Sequence, residues 1–174
     1  MKRIAVLFSN GTEEIEALTP VDVLRRAGVE CDIVSVSGQF PIGSHAITVK
    51  ADRLIEQISF NDYDGVVIPG GLPGAQIIAD NDYASEMVKA FILDKKLVAA
   101  ICAAPALVLA SKGLIDGKKA TCYPAEAFIK TFKNACYTGE NVQVDGNIIT
   151  ANGPRSAFDF SKAICDYLSV TAKF

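Results

Sequence analysis

The chain predicts an α/β fold, a three-layer doubly wound sandwich around a mainly parallel sheet. Three observations carry that expectation. Four apolar runs, Ile4–Phe8, Cys31–Val36, Gly65–Pro69 and Leu97–Cys102, are continuous rather than alternating, as strands covered on both faces require. Helix-spaced apolar residues lie between several of them, the pattern of strand–helix–strand units. No repeat, linker or low-complexity segment interrupts the alternation, so 174 residues, half of them apolar, suit one domain over residues 1–174.

The elements follow in order. Met1-Lys2-Arg3 and five apolar residues could open a secretion signal, but Ser9-Asn10-Gly11 ends the run too soon, so it reads as the first strand. Ile15, Leu18, Val21 and Leu24 then recur at helical spacing up to Ala27-Gly28, with Thr12 as the expected cap, Glu13 and Glu14 suited to the positive end, and Pro20 expected to kink the helix. Tyr83–Leu93 and Pro105–Ala110 read as further helices. Asn141–Val144 and Asn147–Thr150 flank Asp145-Gly146, a two-residue hairpin signal, and Pro154 opens a last helix reaching Leu168.

Composition excludes several functions. A net charge of −3 without a basic cluster argues against nucleic acid, and no apolar run approaches the roughly 20 residues that cross a bilayer, so no membrane partner is expected and the expected location is cytoplasmic. The five cysteines are odd in number, far apart and without a C-x-x-C pair, which fits reduced thiols and offers no zinc motif.

Chemistry concentrates at Leu97–Pro105, where a strand reaches Cys102 and small residues follow it into a helical segment. A thiol at such a corner is aimed outward, and the N–H groups of the new helix favour its thiolate, so Cys102 is the candidate nucleophile with an expected depressed pKa. Glu16, flanked by Ile15, Ala17 and Leu18, is the glutamate expected to turn inward, although spacing leaves Glu13 open. Beside a thiolate it works only as a protonated acid that donates a hydrogen bond to sulfur, which predicts a raised carboxyl pKa. Pro69-Gly70-Gly71-Leu72-Pro73-Gly74 lacks the spacing of a dinucleotide or phosphate loop; it reads instead as an anion pocket in which the backbone at Gly70 and Gly71 approaches closely and the Gly71 and Ala103 N–H groups receive an oxyanion.

Glu13-Glu14-Ile15-Glu16, Arg25-Arg26-Ala27-Gly28, Pro69-Gly70-Gly71, Ala100–Pro105, Thr121–Pro124 and Asn152-Gly153-Pro154 occur in the order of the ThiJ/PfpI family, and the chain resembles its DJ-one branch, the Parkinsonism-associated deglycase type, over almost its whole length. The resemblance implies a class I glutamine-amidotransferase-like, flavodoxin-like fold and a homodimer. It places the reactive cysteine on Cys102, the protonated glutamate on Glu16, the oxyanion amides on Gly71 and Ala103, and an arginine near the dimer contact by the active site on Arg26. Two positions depart from the family pattern: Tyr123 stands where many members have histidine, and His45 where they have arginine. Without a matching histidine to protonate a leaving amine, protease and amidotransferase activities are disfavoured. Tyr123 is a poor base but can supply a hydroxyl, and His45 is a further pocket candidate.

The expected function is a cofactor-independent glyoxalase or protein deglycase acting on small 2-oxoaldehydes of the methylglyoxal type or their glycated adducts, needing no metal. A redox-responsive stress or chaperone-like protein, oxidised at Cys102, is the alternative. The ThiJ name adds a thiamine-pathway association, which no residue here supports.

Overall fold

The structure, a computed structural model, describes residues 1–174. Its main sheet is built from β1 (Arg3–Phe8), β2 (Glu30–Ser35), β3 (Arg53–Leu54), β4 (Gly65–Ile68), β5 (Leu97–Ile101), and the hairpin of β8 (Val142–Asp145) and β9 (Ile148–Ala151), numbered to leave β6 and β7 for a separate two-stranded pair, Lys119–Ala120 with Cys136–Tyr137. Spatial order is β3-β2-β1-β4-β5-β9-β8, and every pairing is parallel except β8 with β9. The expected fold class is the observed one.

Alternate residues of the same strand supply two cores. Ala5 and Leu7 of β1 join Val66, Val98 and Ala100 under α2 (Gly74–Asp80) and α3 (Asp82–Leu93). Ile4, Val6 and Phe8 join Val67, Ala99 and Ile101 under α1 (Glu14–Arg26) and α5 (Ala157–Leu168). Ile4–Phe8 of β1, β4 and β5 are apolar throughout because both faces are covered, and each fully buried Val, Leu, Ile or Phe side chain among them contributes about 1.5–3 kcal/mol.

Several local expectations change. α1 is capped by Glu13, whose side chain accepts from Glu16 N–H at 2.9 Å, whereas Thr12 Oγ1 turns back to accept from Ser9 N–H. α1 runs through Pro20 as one element. The regular helix expected over Pro105–Ala110 is a wide π turn, Pro105–Leu109, closed by a 3₁₀ turn, Ala110–Lys112. The hairpin and last helix lie where their turn signals put them, the latter opening with a 3₁₀ turn at Pro154–Ser156. α2, β3, the β6–β7 pair and the short α4 (Glu126–Ile129) had no counterpart in the sequence reading.

The chain order places the site. β1 leads outward to β2 on one side and the sheet resumes with β4 on the other, so the loops after β1 and β4 diverge and leave a crevice at the strands' carboxyl ends. β5 delivers its terminal residue to the same edge.

Candidate active site

Cys102 follows β5 directly and holds φ at 65°, a left-handed conformation that costs a non-glycine residue on the order of 1 kcal/mol. Its backbone is locked on both sides: Cys102 N–H donates to Ala151 O at 2.9 Å, and Tyr123 N–H donates to Cys102 O at 2.8 Å. The side chain is part-exposed. This is the sharp strand-to-helix corner that the small residues predicted, and the backbone N–H groups of Gly71 and Ala103 act on its sulfur in the direction that favours the thiolate.

Glu16, on the first turn of α1, is completely buried. Its Oε2 accepts from Gly70 N–H at 2.8 Å, Oε1 has no hydrogen-bond partner, and the carboxyl as a whole interacts with the Cys102 thiol. Gly70 is the spacer between the two: a Cβ there would stand 2.6 Å from both Cys102 Cβ and Glu16 Oε2. Gly71, with φ 87°, packs as closely against the backbone of Gly11 to Glu13. The glycines therefore let β4's loop slide between α1 and the cysteine corner.

Burial pushes the Glu16 carboxyl up to about 7, with the nearby Glu13 charge adding to the rise and the Cys102 and Gly70 hydrogen bonds opposing it. That agrees with the expected protonated acid. The thiol goes the other way from expectation: burial first, then the charge and hydrogen bond of Glu16, push Cys102 up to about 12, against the lowering by the Gly71 and Ala103 amides. The reason is structural. A short, irregular π and 3₁₀ segment sums fewer aligned peptide dipoles than a regular helix, and the nearest titratable neighbour is an acid rather than a cation. Once one proton has left the pair it carries a single negative charge, and moving the remaining proton from sulfur to the Glu16 carboxylate creates the thiolate without adding charge to the site.

A family model described as DJ-1/PfpI family matches residues 2–167. The chain belongs to that family. The DJ-1 type is equally plain among relatives: the Danio rerio Parkinson disease protein 7 homolog is 36% identical over 170 residues, covering 96% of this chain and 89% of that protein. Protein DJ-1 homolog B of Arabidopsis thaliana is 38% identical over 170 residues and 96% of this chain, but the chain spans only 38% of that relative's length. Among solved structures, oxidized Toxoplasma gondii DJ-1 superposes with a TM-score of 0.91 at 38% identity, covering 97% of this chain and 91% of that one. Drosophila melanogaster DJ-1beta gives 0.90 at 33%, covering 96% and 90%.

Within this DJ-1/PfpI chain, the remaining predicted residues fall into three places. Tyr123 is tethered to Cys102 through its backbone, and its ring lies 3.5 Å from where a Gly153 Cβ would stand, lining a polar cleft of about 630 Å³ with Asn152 and Arg155. His45 binds Glu14, not the cysteine: Nδ1 lies 2.8 Å from Oε2 and its N–H donates to Oε1 at 2.7 Å. Arg26 does not join Cys102 within the chain. It closes on Asp22 and stacks 5.5 Å over the Phe174 ring, about 15 Å along α1 from Glu16. The pair of the buried Glu14 and the exposed His45 escaped the sequence reading because its members are 31 positions apart.

Gly70→Ala tests the spacer. The added methyl must displace Cys102 Cβ or Glu16 Oε2, so we expect alkylation of Cys102 by iodoacetamide to change at least roughly tenfold while the circular dichroism spectrum is retained. An unchanged rate would show that the two side chains do not depend on this contact.

Proposed function

We propose that the chain is a cysteine-dependent glyoxalase or deglycase that converts small 2-oxoaldehydes, or their early adducts on proteins, to hydroxy acids. The observation that carries this reading is the buried Glu16 carboxyl, one oxygen pinned by Gly70 and the other without a hydrogen-bond partner, beside the Cys102 thiol with which it interacts. Sulfur adds to the aldehyde carbon of methylglyoxal, and the proton that Glu16 holds passes to the new oxyanion, giving a hemithioacetal. Glu16, now a carboxylate, removes the hydrogen from that carbon; protonation of the neighbouring carbon yields a thioester of lactic acid. Water hydrolyses the thioester and returns the thiol. One carbon is oxidised and its neighbour reduced, so the reaction balances as methylglyoxal plus water to lactate with no external electron acceptor. Purified protein should release lactate stoichiometrically from methylglyoxal; consumption of the aldehyde without lactate would overturn the reading.

Oxidation at Cys102 is the second reading, favoured by the similarity to a DJ-1 described as oxidized. In this reading the protonated Glu16 carboxyl, which has one unpartnered oxygen, donates a hydrogen bond to a sulfinate oxygen. Gain of two oxygens at Cys102 under mild peroxide, with negligible lactate formation, would make this the main role.

We also infer a homodimer. Ile15, Phe158 and Phe174, each more than half exposed, form a continuous apolar face where α1, α5 and the C-terminal segment meet, and family members of the DJ-1 type commonly pair. Phe158→Asp is expected to halve the mass seen by light scattering; an unchanged mass would place the contact elsewhere. No helix is long and apolar enough to cross a membrane.

A further inference from the structure

We propose that Glu13, Glu14 and His45 form a binding site for a borderline divalent cation of the zinc type. The site stands independently of the activity proposed above. One ligand atom from each of the three side chains lies within 4.8 Å of the others. His45 Nδ1 is 2.8 Å from Glu14 Oε2 and 3.7 Å from Glu13 Oε1. Tetrahedral zinc, with bonds near 2.0–2.1 Å, needs ligand atoms about 3.4 Å apart, and the two distances bracket that value.

The glutamates have separate oxygens to spare for it. Glu13 spends Oε2 on the Glu16 N–H that it caps, and its Oε1 accepts no hydrogen bond although the residue is only 9% exposed. Glu14 Oε1 is held by the His45 backbone N–H at 2.7 Å, leaving Oε2 turned to the imidazole. Ser44 Oγ lies 3.3 Å from that Oε2, in position to orient the carboxylate from outside the ligand set. Two carboxylates and a neutral imidazole sum to −2, which a dication cancels in a partly buried place where uncompensated charge is costly. The donor set selects the ion: calcium takes six to eight oxygens and magnesium keeps several waters, whereas one nitrogen and two carboxylate oxygens with a fourth position open suit zinc. The imidazole is 68% exposed, so that fourth position faces solvent and takes water.

The test uses Zn²⁺ and Co²⁺ alone on the full chain, in a Cys102→Ser background with the exposed Cys136 also replaced by serine, which removes both accessible thiols. Calorimetry should show one Zn²⁺ per chain, weakened at least tenfold by adding His45→Ala, and likewise by Glu13→Gln, which keeps an acceptor for the helix cap. Co²⁺ should give intense visible bands of four-coordinate geometry that His45→Ala removes. Absence of binding in that doubly substituted protein, or binding unchanged by His45→Ala, would overturn the site.

Discussion

Cys102→Ser is expected to reduce lactate formation from methylglyoxal at least a thousandfold, to the background of the buffer, because loss of a nucleophile removes the covalent route as a whole. Glu16→Gln should reduce it by roughly 10²–10⁴, the span of a positioned acid–base group. The more telling result lies in the thiol itself. Glu16 raises the Cys102 pKa through its charge and its hydrogen bond, two of the three upward influences on that sulfur. Glutamine keeps the shape and removes the charge, so the Cys102 pKa should fall in Glu16→Gln and alkylation at pH 8 should become faster while turnover collapses. A bystander glutamate would move neither quantity, and one that only supported the fold would lower both. Faster alkylation with intact turnover would remove Glu16 from the proton-transfer role and leave Cys102 unaided.

The sheet was legible because buried parallel strands leave continuous apolar runs, as in Ile4–Phe8 and Leu97–Ile101. Its two-residue pairings, such as Arg53–Leu54, carry too little pattern to announce themselves. α2 was hidden for a different reason: it begins on Gly74, at the end of a glycine- and proline-rich loop whose residues signal a turn. The corner at Cys102 was legible from the small residues that must follow it, and Glu16 from its apolar neighbours on the chain. The direction of the thiol's pKa was not, because burial depends on segments distant in sequence, and the helix expected to lower it proved irregular. The Thr12 cap failed similarly: Ser9 competes for its hydroxyl, and Glu13 takes the cap instead. His45 was visible only as a departure from a family pattern; its partner Glu14 could be found only in three dimensions.

Stability should also carry the signature of Glu16. Its folded pKa, about 7, lies above the ordinary value of 4.5, so the folded chain binds the proton more tightly than the unfolded chain does. The carboxyl therefore costs nothing below pH 4.5, where both states are protonated. The native state loses stability as pH rises from 4.5 to 7, and the penalty is constant above that. The shift corresponds to about 3 kcal/mol, a large part of the net stability of a domain. With a chelator present to keep cations off the neighbouring glutamates, urea unfolding should show Glu16→Gln more stable than the wild type at pH 8 by up to that amount, and nearly equal to it at pH 4.5. The same substitution thus trades activity for stability, as expected where a buried acid is retained for its chemistry. Equal stabilities at pH 8 would mean that Glu16 ionises in the folded chain as readily as in the unfolded one, and the protonated acid on which the proposed proton transfer depends would be lost.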